Sequence, residues 1–148
     1  MARGEVHRLG LMHRSVHILV FNSDNELFIQ KRSMLKDSNP GLWDSSAAGH
    51  VDAGEDYLAC AKRELGEELG VSGAPLLEAL FRLPASATTG MEHCTVYHCI
   101  YDGPLILQEE EIDDGGWISV GEMQRRVAAS DPSLTPILQL IWRKFFHL

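Results

Sequence analysis

A chain of 148 residues, 45% hydrophobic and 23% charged, is long enough to bury the core of one globular domain, residues 1–148, without disulfides or a structural metal. Its net charge of −8, from 21 acidic against 13 basic residues, excludes a non-specific nucleic-acid binder, which needs a basic surface. Apolar runs as short as Ile18 to Phe21 exclude a membrane-spanning helix, the N-terminus has no apolar stretch that would read as a secretory signal, and three cysteines without a C-x-x-C pair suit a reduced, cytoplasmic chain.

In chain order, Ser15 to Phe21 and Glu26 to Gln30, joined by Asn22-Ser23-Asp24-Asn25, read as a β-hairpin. Ser33 to Gly41 reads as a loop and Trp43 to Ala48 as a short extended piece, followed by a turn-rich stretch from Gly49 to Gly54. Asp56 to Leu69 is the clearest helix, with Leu58, Ala61, Leu65 and Leu69 on one side and Gly70 as its stop. Leu76 to Leu83, His93 to Tyr101 and Trp117 to Val120 read as strands, and Gly121 to Ala129 and Leu134 to Phe146 as helices, with Pro136 in a first turn. Interleaved strands and helices predict a mixed α/β or α+β domain.

The helix over 56–69 is unusually acidic. Glu64, Glu67 and Glu68 fall at i, i+3 and i+4, where like charges oppose helix formation by roughly 0.2–0.5 kcal/mol per pair. Gly66 in its middle costs roughly 1 kcal/mol against alanine. A solvated acidic face is the plain reading of such a cluster. A second reading is a site for Mg²⁺ or Mn²⁺, since hard cations take several oxygen ligands, and an acidic protein handles phosphates by placing divalent cations between carboxylates and ligand.

The spacing around the cluster favours the second reading. Gly49, Glu55 and the run Arg63-Glu64-Leu65-Gly66-Glu67-Glu68-Leu69-Gly70-Val71 resemble the Nudix box, G-x5-E-x7-R-E-U-x-E-E-x-G-U with U aliphatic, at all nine specified positions within residues 49–71. Gly41-Leu42-Trp43 before the box and Glu111 to Trp117 after it extend the likeness. The resemblance implies a Nudix fold, a mixed β-sheet sandwiched between α-helices. It also implies Mg²⁺- or Mn²⁺-dependent hydrolysis, by activated water, of a diphosphate bond in a nucleoside diphosphate-linked or related small molecule. On this likeness Glu64, Glu67, Glu68 and the Gly49 carbonyl are metal ligands, and Arg63 orients the glutamates. Glu55 either braces the loop or joins the metal's outer shell. The general base is Glu67, Glu68 or a later glutamate; Glu111 is the loop candidate, its other reading being a surface residue within Glu109-Glu110-Glu111.

The flanks His13-Arg14-Ser15-Val16-His17, Pro40-Gly41-Leu42-Trp43-Asp44 and Ala48-Gly49-His50 resemble the branch that holds isopentenyl diphosphate isomerase. That likeness implies a second metal site, with His7, His13, His50 and Glu111 in similar places. Ala48 stands where the isomerase has its catalytic cysteine, so a hydrolase is expected rather than an isomerase; a non-catalytic binding module is the other alternative, opposed by the intact glutamates. Arg14, Lys31 and Arg32 are candidate partners for substrate phosphates, with Lys31 and Arg32 equally readable as a hairpin end. Trp43 reads as a core residue before a base-stacking one. The chain starts later than relatives of this type, which implies an exposed edge strand and favours a homodimer.

Overall fold

The computed structural model describes residues 13–71 and 75–146. Seven strands form one sheet: β1 (His13–Phe21), β2 (Glu26–Arg32), β3 (Trp43–Asp44), β4 (Ala47–His50), β5 (Glu78–Leu83), β6 (Glu92–Ile100) and β7 (Ile112–Ser119). Among the described residues three helices accompany it: α1 (Tyr57–Leu69) between β4 and β5, then α2 (Val120–Ala128) and α3 (Pro136–Phe145) after β7. The expected elements are all present, and β7 starts five residues before the predicted strand. The homodimer edge expected at the chain's start falls outside the described residues.

β1 is the centre of the sheet and is buried on both faces, which its near-continuous run Val16 to Phe21 requires. Its even-numbered residues Val16, Ile18 and Val20 pack with Cys60, Ala61, Leu65 and Leu69 of α1. Leu19 and Phe21 pack on the opposite face with Met123, Val127, Leu138, Ile141 and Trp142 of α2 and α3. The sheet therefore lies between helices, with a core on each face. Leu58, placed on the apolar side of α1 by its spacing, is 40% exposed; Cys60 fills the core instead.

The predicted hairpin closes only at its turn, where Phe21 pairs with Leu27. Beyond that pair the strands part. β1 takes β6 as a parallel neighbour and β4 as an antiparallel one, while β2 pairs with β7 and β3. The parting leaves main-chain groups on both strands to be satisfied. Ser46 does so: its Oγ accepts from Val20 N at 2.8 Å and donates to Phe28 O. Candidate site residues of both strands, among them His17, Gln30 and Arg32, line the cavity beside this opening.

Candidate active site

The loop from Val51 to Glu55 delivers the chain to α1, whose first turn is capped by Asp56 Oδ1 accepting from Ala59 N at 2.7 Å. The helix ends at Gly70, which holds φ +63°, a conformation that glycine adopts without the strain of a Cβ. Between these stops, the i, i+3, i+4 spacing brings Glu64, Glu67 and Glu68 to one side of α1, over the C-terminal end of β4.

Arg63 organises the cluster. Its Nε and Nη2 hold both oxygens of Glu55 at 2.9 and 3.0 Å, a bidentate pair. Nη1 reaches Glu64 Oε1 at 2.9 Å and Glu67 Oε2 at 3.2 Å, and Nη2 also donates to the carbonyl of His50 at 3.1 Å. The guanidinium holds the Glu55 carboxyl down at about 2. With both oxygens taken, Glu55 has the geometry of a loop brace.

Glu64 and Glu68 are buried, 9% and 7% exposed, and burial raises both carboxyl pKa values. Glu68 is pushed up to about 7 by burial, against hydrogen bonds from Ala48 N at 2.9 Å and Gln30 Nε2 at 3.4 Å. Gln30 also donates to Ser46 O, so its amide orientation is set and Glu68 is held in place. Glu67 is half-exposed. Gly49 lies so close to Glu64 that a Cβ there would fall 2.2 Å from its carboxylate. Only a glycine lets this backbone approach the carboxylate. Three carboxylates from one helix face beside a bare stretch of main chain make an all-oxygen donor set that fits a hard divalent cation.

A second cluster forms on the other face of the sheet. The parallel register pairs His13 with Glu92, and the antiparallel register pairs Ser15 with His50. Glu92 Oε2 thereby lies 2.9 Å from His13 Nε2 and 2.6 Å from His50 Nε2, and the two imidazoles stack with centroids 4.5 Å apart. Burial raises the Glu92 pKa, but the His50 hydrogen bond and charge outweigh it and leave the carboxyl near 2. One ligand atom from each residue lies within 4.8 Å of the others, close enough to share an ion.

Both clusters border one cavity of about 690 Å³. Its lining includes Arg32, Gly49, His50, Arg63, Glu64, Glu67, Glu68, Glu92 and Glu111. Arg32 is committed in part to Asp44 Oδ2 at 3.4 Å and Ser38 O at 3.1 Å. Glu111 pairs with Lys36, and both line the cavity. Lys31 is absent from the lining because its neighbours Gln30 and Arg32 point there, and strand alternation turns Lys31 away. Arg14 is turned away likewise: its guanidinium sits 5.4 Å from the Tyr57 ring centroid and reaches Asp52 O. Trp43 packs against the α2–α3 core and does not border the cavity. His7 lies outside the described residues. Glu92, Lys36 and Gln30 were missed by the sequence reading; only strand register joins Glu92 to His13, 79 residues away.

A mixed sheet between helices, with an Arg-braced carboxylate cluster at the end of β4, defines a Nudix hydrolase. The chain belongs to this family: the NUDIX domain matches residues 11–138. Members act on phosphorus-containing anhydrides and generally use divalent metals. The chain is 41% identical over 121 residues to an uncharacterized Nudix hydrolase of Pseudomonas aeruginosa, covering 80% of this chain and 69% of the relative. It is 36% identical over 147 residues to Nudix hydrolase 3 of Arabidopsis thaliana, covering 90% of this chain but 19% of that longer protein. Among solved structures, DR0079 from Deinococcus radiodurans superposes with a TM-score of 0.79 at 29% identity, covering 89% and 82% of the two chains. A bifunctional NMN adenylyltransferase/ADP ribose pyrophosphatase from Francisella tularensis, complexed with AMP and a Mn ion, shares the fold, with a TM-score of 0.70, 19% identity, and coverage of 97% of this chain and 45% of that one.

Proposed function

We propose that residues 1–148 act as one catalytic domain that hydrolyses a diphosphate bond in a nucleoside diphosphate-linked or related small molecule, with Mg²⁺ or Mn²⁺ as cofactor. The observation that carries this reading is the cluster of Glu64, Glu67 and Glu68, gathered by Arg63 against Gly49 at the cavity. Those three carboxylates and the Gly49 carbonyl would hold the cation. When bound, it supplies charge neutralisation for the diphosphate and lowers the pKa of a water. Arg63 keeps the carboxylates oriented, as an outer hydrogen-bonding partner does for metal ligands. Glu68 is the general base this reading favours, because it lines the cavity and Ala48 N and Gln30 hold its carboxylate in a fixed position. In the reaction, the water oxygen bonds to phosphorus, the bridging P–O bond breaks, and the water's proton passes to the base. Arg32 and Lys36 border the cavity as partners for phosphate charge.

A second reading concerns His13, His50 and Glu92, which we propose as a further divalent-ion site favouring an ion such as Mn²⁺ or Zn²⁺, since imidazole suits these better than Mg²⁺. The isomerase-like branch accords with these histidines, while Ala48 supplies no thiol for the isomerase reaction.

The test is release of phosphate or monophosphate from nucleoside di- and triphosphates, nucleotide sugars, dinucleoside polyphosphates and isopentenyl diphosphate, with Mg²⁺ or Mn²⁺ and with a chelated control. Metal-dependent cleavage of one class supports the hydrolase. Silence from folded, metal-binding protein favours the binding module, and an allylic product from isopentenyl diphosphate favours the isomerase.

A further inference from the structure

Asp44 ends β3 and is buried, 3% exposed. The register of β3 on β2 sets it opposite Gln30, with Arg32 as its diagonal neighbour on the same face, and all three border the cavity. The two oxygens of its carboxylate serve different partners. Oδ1 accepts from Ser45 N at 2.8 Å and from Thr135 Oγ1 at 3.1 Å. Thr135 is the N-cap of α3, so this oxygen ties the start of α3 to β3. Oδ2 faces Arg32 Nη1 at 3.4 Å, in an ion pair whose side chains are both largely buried. On its other side the guanidinium is held by Ser38, whose carbonyl accepts from Nε at 3.1 Å and whose Oγ accepts from Nη2 at 3.4 Å. Of the five N–H groups, one on each terminal nitrogen is left over among the described residues. A guanidinium fixed on two sides presents that remaining pair in one orientation, as bidentate contact with phosphate oxygens requires.

An acid that borders a cavity for phosphates opposes the ligand's charge. A role in the fold alone would be served by an asparagine, whose amide oxygen also accepts from Ser45 N and Thr135 Oγ1. A carboxylate makes those bonds and pairs with Arg32 as well. We propose that Asp44 is a positioning residue, which holds Arg32 so that its remaining N–H groups meet a phosphate of the substrate. This rests on the hydrolase reading above and on the place of Arg32 in it, and it gives Asp44 no part in the chemical step.

Asp44→Asn separates the two partners. Ser45 N keeps the amide oxygen on its own side, so the amide NH₂ faces Arg32 Nη1, donor against donor, and the guanidinium loses its hold. Thr135→Val does the converse, releasing α3 and leaving Arg32 in place. The measurement is kcat/KM with Mg²⁺, on whichever diphosphate of the panel above the wild type cleaves best, in wild-type and Arg32→Gln backgrounds. Arg32→Gln and Asp44→Asn are each expected to lower it about tenfold or more, since a misplaced positioning group costs up to about 10²-fold. With Arg32 already replaced, Asp44→Asn is expected to change it by less than about threefold, because two residues that act through one contact are not additive. Thr135→Val is expected to stay within about threefold of wild type, its loss falling on stability as a missing cap. If Asp44→Asn fails to fold, Asp44→Ser is read in the same cycle with the same expectation. Unchanged kcat/KM in the Asp44 variant overturns the proposal, as does an equal loss in both backgrounds, which would make Asp44 a residue of the fold alone. A loss in Thr135→Val as large as that in the Asp44 variant overturns it too. So does near-wild-type activity of Arg32→Gln, and all four outcomes leave the hydrolase intact. Cleavage of no diphosphate at all overturns the hydrolase reading together with it.

Discussion

Glu68 shows how burial sets the chemistry of a single residue. Its carboxyl, held near 7 by desolvation, is protonated in the metal-free protein through the range where an exposed glutamate is charged. A folded-state pKa above the unfolded value contributes stability that is complete below about 4.5 and is lost as pH rises through about 7. With chelator present, thermal stability measured by calorimetry is therefore expected to fall from pH 5 to pH 8, and Glu68→Gln is expected to flatten that slope. Saturating Mg²⁺ is expected to reverse much of the fall, because the cation competes with the proton, and metal affinity rises with pH over the same window. Arg63 acts at the same scale. Arg63→Ala removes the partner of Glu55, Glu64 and Glu67 together, and metal affinity by calorimetric titration is expected to drop about 10–100-fold, the usual cost of losing a partner that orients ligands.

At the scale of elements, α1 and the parting of β1 from β2 carry the site. Gly66 is exposed in mid-helix and a Cβ there would meet nothing closer than Val71 O at 3.9 Å. Gly66→Ala is therefore expected to stabilise the fold by about 0.5–1 kcal/mol, read as a shift in denaturant midpoint. Nothing in the structure explains why glycine stands there. Ser46 is the converse case. Ser46→Ala leaves Val20 N and Phe28 O buried between the diverging strands and is expected to cost about 1–3 kcal/mol in the same measurement. The box helix was legible in the sequence because its chemistry is local: the spacing of Glu64, Glu67 and Glu68 and the stop at Gly70 all lie within one element, although Asp56, read as its first residue, is its N-cap. The hairpin was legible only at its turn, since the sequence carries no local sign that β1 prefers β4 and β6 to β2.

Across the whole molecule, the sheet divides the candidate site groups between its two faces and the opening between β1 and β2 joins them in one cavity. The carboxylate face followed from sequence spacing. The histidine face followed only in part: His13 and His50 were suggested by resemblance, but Glu92, Ser15 and His17 reach them through strand register over long sequence separations. Glu111, a loop candidate for the general base, lines the cavity and is paired with Lys36, and that ion pair joins two loops that no local pattern connects. Alternation along β1 and β2 likewise decides which basic residues reach the cavity, taking Arg32 in and leaving Lys31 out. No helix among the described residues is long and apolar enough to cross a membrane.

The central claim is that the carboxylates of α1 hydrolyse a diphosphate bond with a divalent cation, and the most direct measurement compares turnover of wild type, Glu67→Gln and Glu68→Gln on the best cleaved diphosphate in Mg²⁺ or Mn²⁺. The account predicts a loss of roughly 10²–10⁴-fold in kcat for Glu68→Gln, the range for removing a general base, a fall of about tenfold or more for Glu67→Gln, and an unchanged circular dichroism spectrum in both. Near-normal turnover in both folded variants would contradict it.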